Sequence, residues 1–187
     1  MATIKRVGFG QVEPNHLSAK RTGQIYAQLP ASAAITILEN GQFAKYDYAA
    51  NEVNYTGDGE WMLVFNEVKL YEDRESYKDF ALQAKNFTPG GNIAHNGVGP
   101  FPGQMTPRLF KTNVGDIYTT NCIGGAVASK DAEYAGIELE VGNYLTVAST
   151  GYLTKADALD PTVMTWKVAK VYTMADGQPA VKIVRVA

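Results

Sequence analysis

The chain has 187 residues, 45% hydrophobic and 11% aromatic, with 17 basic against 19 acidic side chains and a formal net charge of -2. That length holds one ordinary domain or two small ones, and the mild acidity gives no general electrostatic reason to bind nucleic acid or an acidic membrane. The single cysteine, Cys122, excludes an internal disulfide framework and any multi-cysteine metal site.

The opening Met-Ala-Thr-Ile-Lys-Arg carries no apolar core of a secretory signal, and no stretch approaches the ~18 apolar residues of a membrane span. The expectation is a soluble protein made in a cytoplasm. Residues 1–33 mix Gly8, Gly10, Pro14 and Gly23 with Lys5, Arg6, Lys20 and Arg21 and show no sustained period. They read as an extended N-terminal arm, with one strand over residues 24–29 stopped by Pro30. Such an arm is either a floppy terminus, disordered alone, or ordered by lying on something else. Lys5, Arg6, Lys20, Arg21 and Tyr26 are therefore candidate partner contacts.

From residue 34 to 87 the pattern predicts a first β module. Ile35-Thr36-Ile37-Leu38 is apolar and β-branched, Glu39-Asn40-Gly41 is a turn, and Trp61-Met62-Leu63-Val64-Phe65 reads as a buried strand. One helix is predicted over residues 74–85. Tyr77, Phe80, Ala81 and Ala84 form its apolar face, Asp73 caps it, and Pro89-Gly90-Gly91 stops it. Residues 88–108 form a Gly/Pro-rich loop or linker, which adds His95 and Phe101 to the candidate contacts.

Residues 109–187 read as a C-terminal β-barrel-like module, a meander of short strands with turns near 148–150 and 176–178. Val181 and Ile183 face one side of its last strand, and Lys182 and Arg185 lie among the remainder. Inside it the first module's turn returns. Leu38-Glu39-Asn40-Gly41-Gln42-Phe43 is echoed by Leu139-Glu140-Val141-Gly142-Asn143-Tyr144, each close behind an isoleucine and each leading to a tryptophan, Trp61 or Trp166. The fold class that results is mainly β: two small antiparallel modules, barrel or sandwich, with one helix and the arm.

The residues that carry chemistry elsewhere are scattered. His16 and His95 are far apart, no Gly-x-Ser-x-Gly elbow or Gly-Lys-Ser/Thr loop occurs, and no Cys/His cluster has metal-ligand spacing. Glu138 and Glu140 are two apart on one strand face, which suits a wet sheet face better than paired acid–base chemistry. The expectation is a protein without catalytic residues, cofactor or metal.

The Leu-Glu-x-Gly-x-aromatic turns and the all-β ending Lys182-Ile183-Val184-Arg185-Val186 resemble the capsid auxiliary proteins of tailed bacteriophages, the decoration or cement class. Leu63-Val64-Phe65-Asn66-Glu67-Val68-Lys69-Leu70-Tyr71, followed by the helix, also looks like phage virion proteins. The resemblance spans about residues 34–187. It implies a non-enzymatic virion structural protein that binds the outside of the capsid and bridges neighbouring subunits. Its partners would be the major capsid protein and other copies of itself, with a homo-oligomer as one form, no membrane and no direct nucleic-acid contact. Another phage head or tail component and a carbohydrate-binding β module, stacking sugars on Trp61 or Trp166, are the alternatives.

Overall fold

Short period-two stretches broken by turn residues give strands, and the computed structural model of the chain contains thirteen of them among the residues it describes, which are 1–8, 10–23, 25–26, 29–32, 34–35, 38–65, 107–126 and 132–187. In chain order they are β1 (Ala2–Val7), β2 (Val12–His16), β3 (Ile25–Tyr26), β4 (Phe43–Asp47), β5 (Glu52–Asn54), β6 (Met62–Val64), β7 (Leu109–Phe110), β8 (Ile117–Thr120), β9 (Glu133–Leu139), β10 (Tyr144–Val147), β11 (Leu153–Ala156), β12 (Thr165–Thr173) and β13 (Pro179–Arg185). One five-residue helix, α1 (Ser18–Thr22), lies between β2 and β3. The predicted helix 74–85 and the loop 88–108, apart from its last two residues, lie outside the described residues.

The strands form two antiparallel sheets and one separate pair. The first sheet has the order β3-β7-β6-β4-β5, the second the order β2-β8-β13-β12-β10-β11, and β1 pairs with β9. The second sheet is open. Its terminal strands β2 and β11 are not paired to one another, so the predicted C-terminal barrel is instead a sheet packed against its neighbour. A sheet closes only when its strands tilt and stagger enough for the ends to meet.

The two sheets are built alike. Replacing β3, β4, β5, β6 and β7 by β8, β10, β11, β12 and β13 reproduces the strand order, and the pairing registers follow residue by residue. Ile25 and Tyr26 face Phe110 and Leu109 as Ile117 and Tyr118 face Val184 and Ile183. Phe43 faces Leu63 as Tyr144 faces Lys167, and Tyr46 faces Val53 as Val147 faces Leu153. A parallel bridge closes each outer hairpin strand, Ala31 to Val53 and Ile123 to Leu153. We call these the first and second units.

The repeated hexapeptide is the device that seats each unit's central hairpin. In each copy the glycine has positive φ, 94° at Gly41 and 96° at Gly142, which an L side chain rarely adopts. The polar residue that follows folds its side chain back onto the glutamate N–H, Glu39 to Gln42 Oε1 at 3.0 Å and Glu140 to Asn143 Oδ1 at 3.2 Å. The glycine N–H then donates to the third strand at 2.9 Å in both copies, to the carbonyls of Val64 and Val168. The tryptophans, however, are one position out of register: Trp166 takes the place of Met62, and Trp61 that of Thr165.

The hairpin loops match too. Asn51, with φ 58°, and Gly151, with φ 79°, each stand two residues before the equivalent Val53 and Leu153. A Cβ at Gly151 would run into the Phe43 carbonyl. Asn51 takes the left-handed conformation because its short polar side chain tolerates it. Asn51→Gly is expected to stay within about 0.5 kcal/mol of the parent, because relieved strain and added unfolded-state entropy oppose each other. Asn51→Val is expected to lose about 1–2 kcal/mol. Urea unfolding of the two variants checks this, and equal stabilities would contradict the conformational requirement.

The described part of residues 1–33, expected as an arm, is paired with strands elsewhere in the chain: β1 forms the separate pair with β9, β2 adds to β8 of the second unit, and β3 belongs to the first. Leu109 and Phe110, placed by sequence in the C-terminal module, pair with β6 and complete the first sheet. The predicted boundaries followed composition, but strand pairing joins segments far apart in the chain.

The units differ in how many faces they bury. Ala44, Val53, Met62, Val64 and Leu109 form one cluster with Ala31, Ile35, Leu38 and Tyr46. Their counterparts Leu145, Leu153, Trp166, Val168 and Ile183 form the main core, and there they meet the opposite face of the first sheet through Phe43, Leu63 and Phe110. Trp166 is the hub, 5.9 Å from the Phe43 ring and 5.0 Å, edge-on, from that of Tyr118. The first sheet is therefore apolar on both faces, and the second on one.

Candidate functional site

The densest polar arrangement among the described residues lies at the junction of β1 and the two units. Alternation along β1 turns Ile4 and Arg6 inward and Thr3, Lys5 and Val7 outward. Arg6 is thereby a buried cation, and Glu39, which is fully buried, lies opposite it. Arg6 Nη2 donates to both Glu39 carboxylate oxygens at 3.2 Å and to the Gly125 carbonyl at 2.6 Å, and Nη1 reaches the Ile123 carbonyl at 3.4 Å. The Tyr134 and Tyr152 rings flank the guanidinium at 5.3 and 5.7 Å.

Glu39 is held from three sides. It accepts from Arg6, from the Gly10 N–H at 2.6 Å and from the Tyr152 hydroxyl. Gln42, from the same turn, donates to Tyr55 Oη at 2.7 Å and to the Thr150 carbonyl at 2.8 Å. This network ties the N-terminal strand, the first unit's turn and the second unit's hairpin into one latch. A buried charge pair is tolerable only when its remaining lone pairs and protons are satisfied. Apart from Arg6 Nε, which finds no hydrogen-bond acceptor among the described residues, the latch meets that condition.

It is not a reaction centre. Arg6 and Glu39 have no side-chain exposure, so nothing reaches them. Cys122, the adjacent thiol, is fully buried, and burial followed by the negative charge of Glu39 pushes its pKa well up, so the nucleophilic thiolate is disfavoured. Among the described residues, no three His, Cys, Asp or Glu side chains come together as a metal site.

The candidate contacts are dispersed. Arg6, expected to be a surface contact, is the buried centre of the latch, because pairing with β9 turns it inward where Glu39 offsets its charge. Lys5 is exposed on β1, while Lys20 and Arg21 are exposed on α1, with Lys20 Nζ 5.8 Å from the Phe65 ring. Tyr26 pairs with Leu109 through its backbone. His95 and Phe101 lie outside the described residues. Glu138 and Glu140 are both exposed, and only Glu138 lies within β9, so they make no shared site.

A shallow depression of about 220 Å³ is lined by Tyr46, Tyr48, Gly59, Glu60, Met62 and Lys111, with Glu60 and Lys111 paired at 2.7 Å. It is smaller than the ~300 Å³ at which ligand cavities begin. The two tryptophans differ in exposure, Trp61 being half-buried. Trp166 is wholly buried, and Lys45 Nζ sits 4.8 Å from the Trp61 ring centre.

Glu39 and Tyr152 were not singled out as chemistry by sequence. The signal was present in the unequal surroundings of the repeat: the same glutamate follows the uncharged Ile-Thr-Ile-Leu in one copy and another glutamate, Glu138, two residues earlier in the other. No family model matches the chain, and no curated protein or solved structure is significantly similar to it.

Proposed function

We propose that this protein is a non-enzymatic structural component of a tailed-phage virion that binds the capsid surface and bridges neighbouring capsid subunits. The observation that supports the reading is the duplication. Two units with the same strand order and register, held in one chain, suit a partner that itself presents the same surface repeatedly. Once one surface of the chain is bound, another meets a neighbouring subunit at an effective concentration of order mM, so two weak contacts become one firm bridge.

The latch supports the same reading. A bridging protein transmits load between its contacts, and the buried Arg6–Glu39 pair joins the N-terminal strand and both units at a single point. Shells assembled from the major capsid protein encoded in the same genome provide the test. The full chain is expected to co-sediment with them at a fixed stoichiometry and to raise their melting temperature. Shells that neither retain the protein nor gain stability would end this reading.

A further inference from the structure

The outer face of the second sheet is basic in a protein whose net charge is negative. β10, β11, β12 and β13 carry Lys155, Lys167, Lys170, Lys182 and Arg185 and no aspartate or glutamate. Register decides which of these share a face. Lys167 stands opposite Val184, and Lys170 opposite Lys182. Val184 and Lys182 are two apart on β13, so all three lysines project from the same side. Lys167 and Lys170 are three apart and would normally point opposite ways. The register shift between Val168 and Lys170 restores Lys170 to the face of Lys167.

This arrangement costs stability. Like charges directly opposite on neighbouring strands repel, and Lys170 and Lys182 are such a pair. None of the three lysines has a carboxylate within ion-pairing distance among the described residues. Among the described residues, the one acidic side chain that strand register places on the face is Glu13 on the edge strand β2, across β8 from Lys182. Lys167 and Lys170 are exposed and Lys182 half-buried. The equivalent face of the first sheet, with Phe43, Leu63 and Phe110 where this one has Tyr144, Lys167 and Val184, is the one that docks onto the second sheet's core.

We propose that this face, centred on Lys167, Lys170 and Lys182, is the docking surface for an acidic protein partner. It rests on the reading above, in which that partner is the shell. A protein surface fits better than a nucleic acid. Single strands need free aromatic rings for their bases to stack on. Here Lys167 Nζ lies 5.7 Å from the Tyr144 ring centre and Lys182 Nζ 5.8 Å from that of Tyr172, so cations already occupy both rings.

The test compares the parent with the triple variants K167E/K170E/K182E and K167Q/K170Q/K182Q, using capsid shells as probe and an oligothymidylate as the nucleic-acid control. Both variants replace lysines outside the core, and thermal melting confirms their folding, with the glutamine variant expected to match or exceed the parent. The glutamate variant is expected to bind shells at least about tenfold more weakly, with the glutamine variant between, and added salt should weaken the parent most. Parent-like shell binding by both variants would overturn the docking face while leaving the capsid reading intact. Oligothymidylate binding as tight as shell binding, and lost in the variants, would reassign the face to nucleic acid. No shell binding by the parent would remove the capsid reading and this proposal together.

Discussion

Arg6→Met is expected to cost about 3–5 kcal/mol, because methionine fills the space but leaves the Glu39 carboxylate buried without its cation. Glu39 would keep the Gly10 N–H and the Tyr152 hydroxyl, which are too few to replace a guanidinium donating to both of its oxygens. Glu39→Gln should also destabilise, since the amide removes the counter-charge of the buried Arg6 and puts an NH2 donor where Arg6 Nη2 or the Gly10 N–H needs an acceptor. The double variant R6M/E39Q is the deciding measurement. With no charge left in the latch, it should recover at least about 1 kcal/mol relative to the sum of the single losses. Urea unfolding with a shared slope supplies the values. Single losses under about 1 kcal/mol, or strict additivity, would mean that the pair does not hold the units together.

The second large effect is alkaline unfolding. Burial pushes the Tyr118 hydroxyl and the Cys122 thiol well above their ordinary values, and Tyr152 is raised by burial and by the negative charge of Glu39, to which it donates. All three are neutral acids whose folded pKa exceeds the unfolded one. Their contribution is therefore complete below the unfolded values, roughly 8.5 for cysteine and 10 for tyrosine, and is lost as pH rises beyond them. Each group removes about 1.4 kcal/mol per pH unit once it ionises in the unfolded chain, so above pH ~10 the three together remove on the order of 4 kcal/mol per unit. Against a typical stability of ~5–15 kcal/mol, with Cys122 acting alone below pH ~10, the fold should be lost between about pH 11 and 13.

Circular dichroism should be lost in one cooperative step, and the part of the tyrosinate absorbance that belongs to Tyr118 and Tyr152 should appear in that same step. Tyr118→Phe should reduce the pH slope by about 1.4 kcal/mol per unit. At neutral pH that variant should be nearly harmless, because the Tyr118 hydroxyl is buried and has no hydrogen-bond partner among the described residues. Tyrosinate absorbance that reaches the value for all 11 tyrosines with the circular dichroism unchanged would show that these groups are open to water.

How much of this was legible depends on the range of each interaction. The β class and both turns were readable in Leu38–Phe43 and Leu139–Tyr144, because a turn glycine and period-two alternation are local signals. The wider duplication was not. Ile25-Tyr26 and Ile117-Tyr118 are matched by two residues, and Leu63 against Lys167 or Met62 against Trp166 shows no likeness in side chain. Only the ladder partners identify them. Arg6 illustrates the opposite failure. Beside Lys5 it reads as a surface charge, and the partner that makes its burial tolerable is 33 residues away.

By itself, then, the sequence determined where this chain turns, which segments extend, and that its core would be rich in aromatic and β-branched side chains. These properties follow from backbone sterics and from burial of alternate residues, and both act within a few positions. Tertiary structure alone decided that β2 extends the second unit's sheet, that Trp166 rather than Trp61 is the hub, and that Lys167, Lys170 and Lys182 share a face. Each depends on strand register and on one bulge, which are set by packing between segments distant in the chain. A shift of one residue in register turns a side chain from core to solvent.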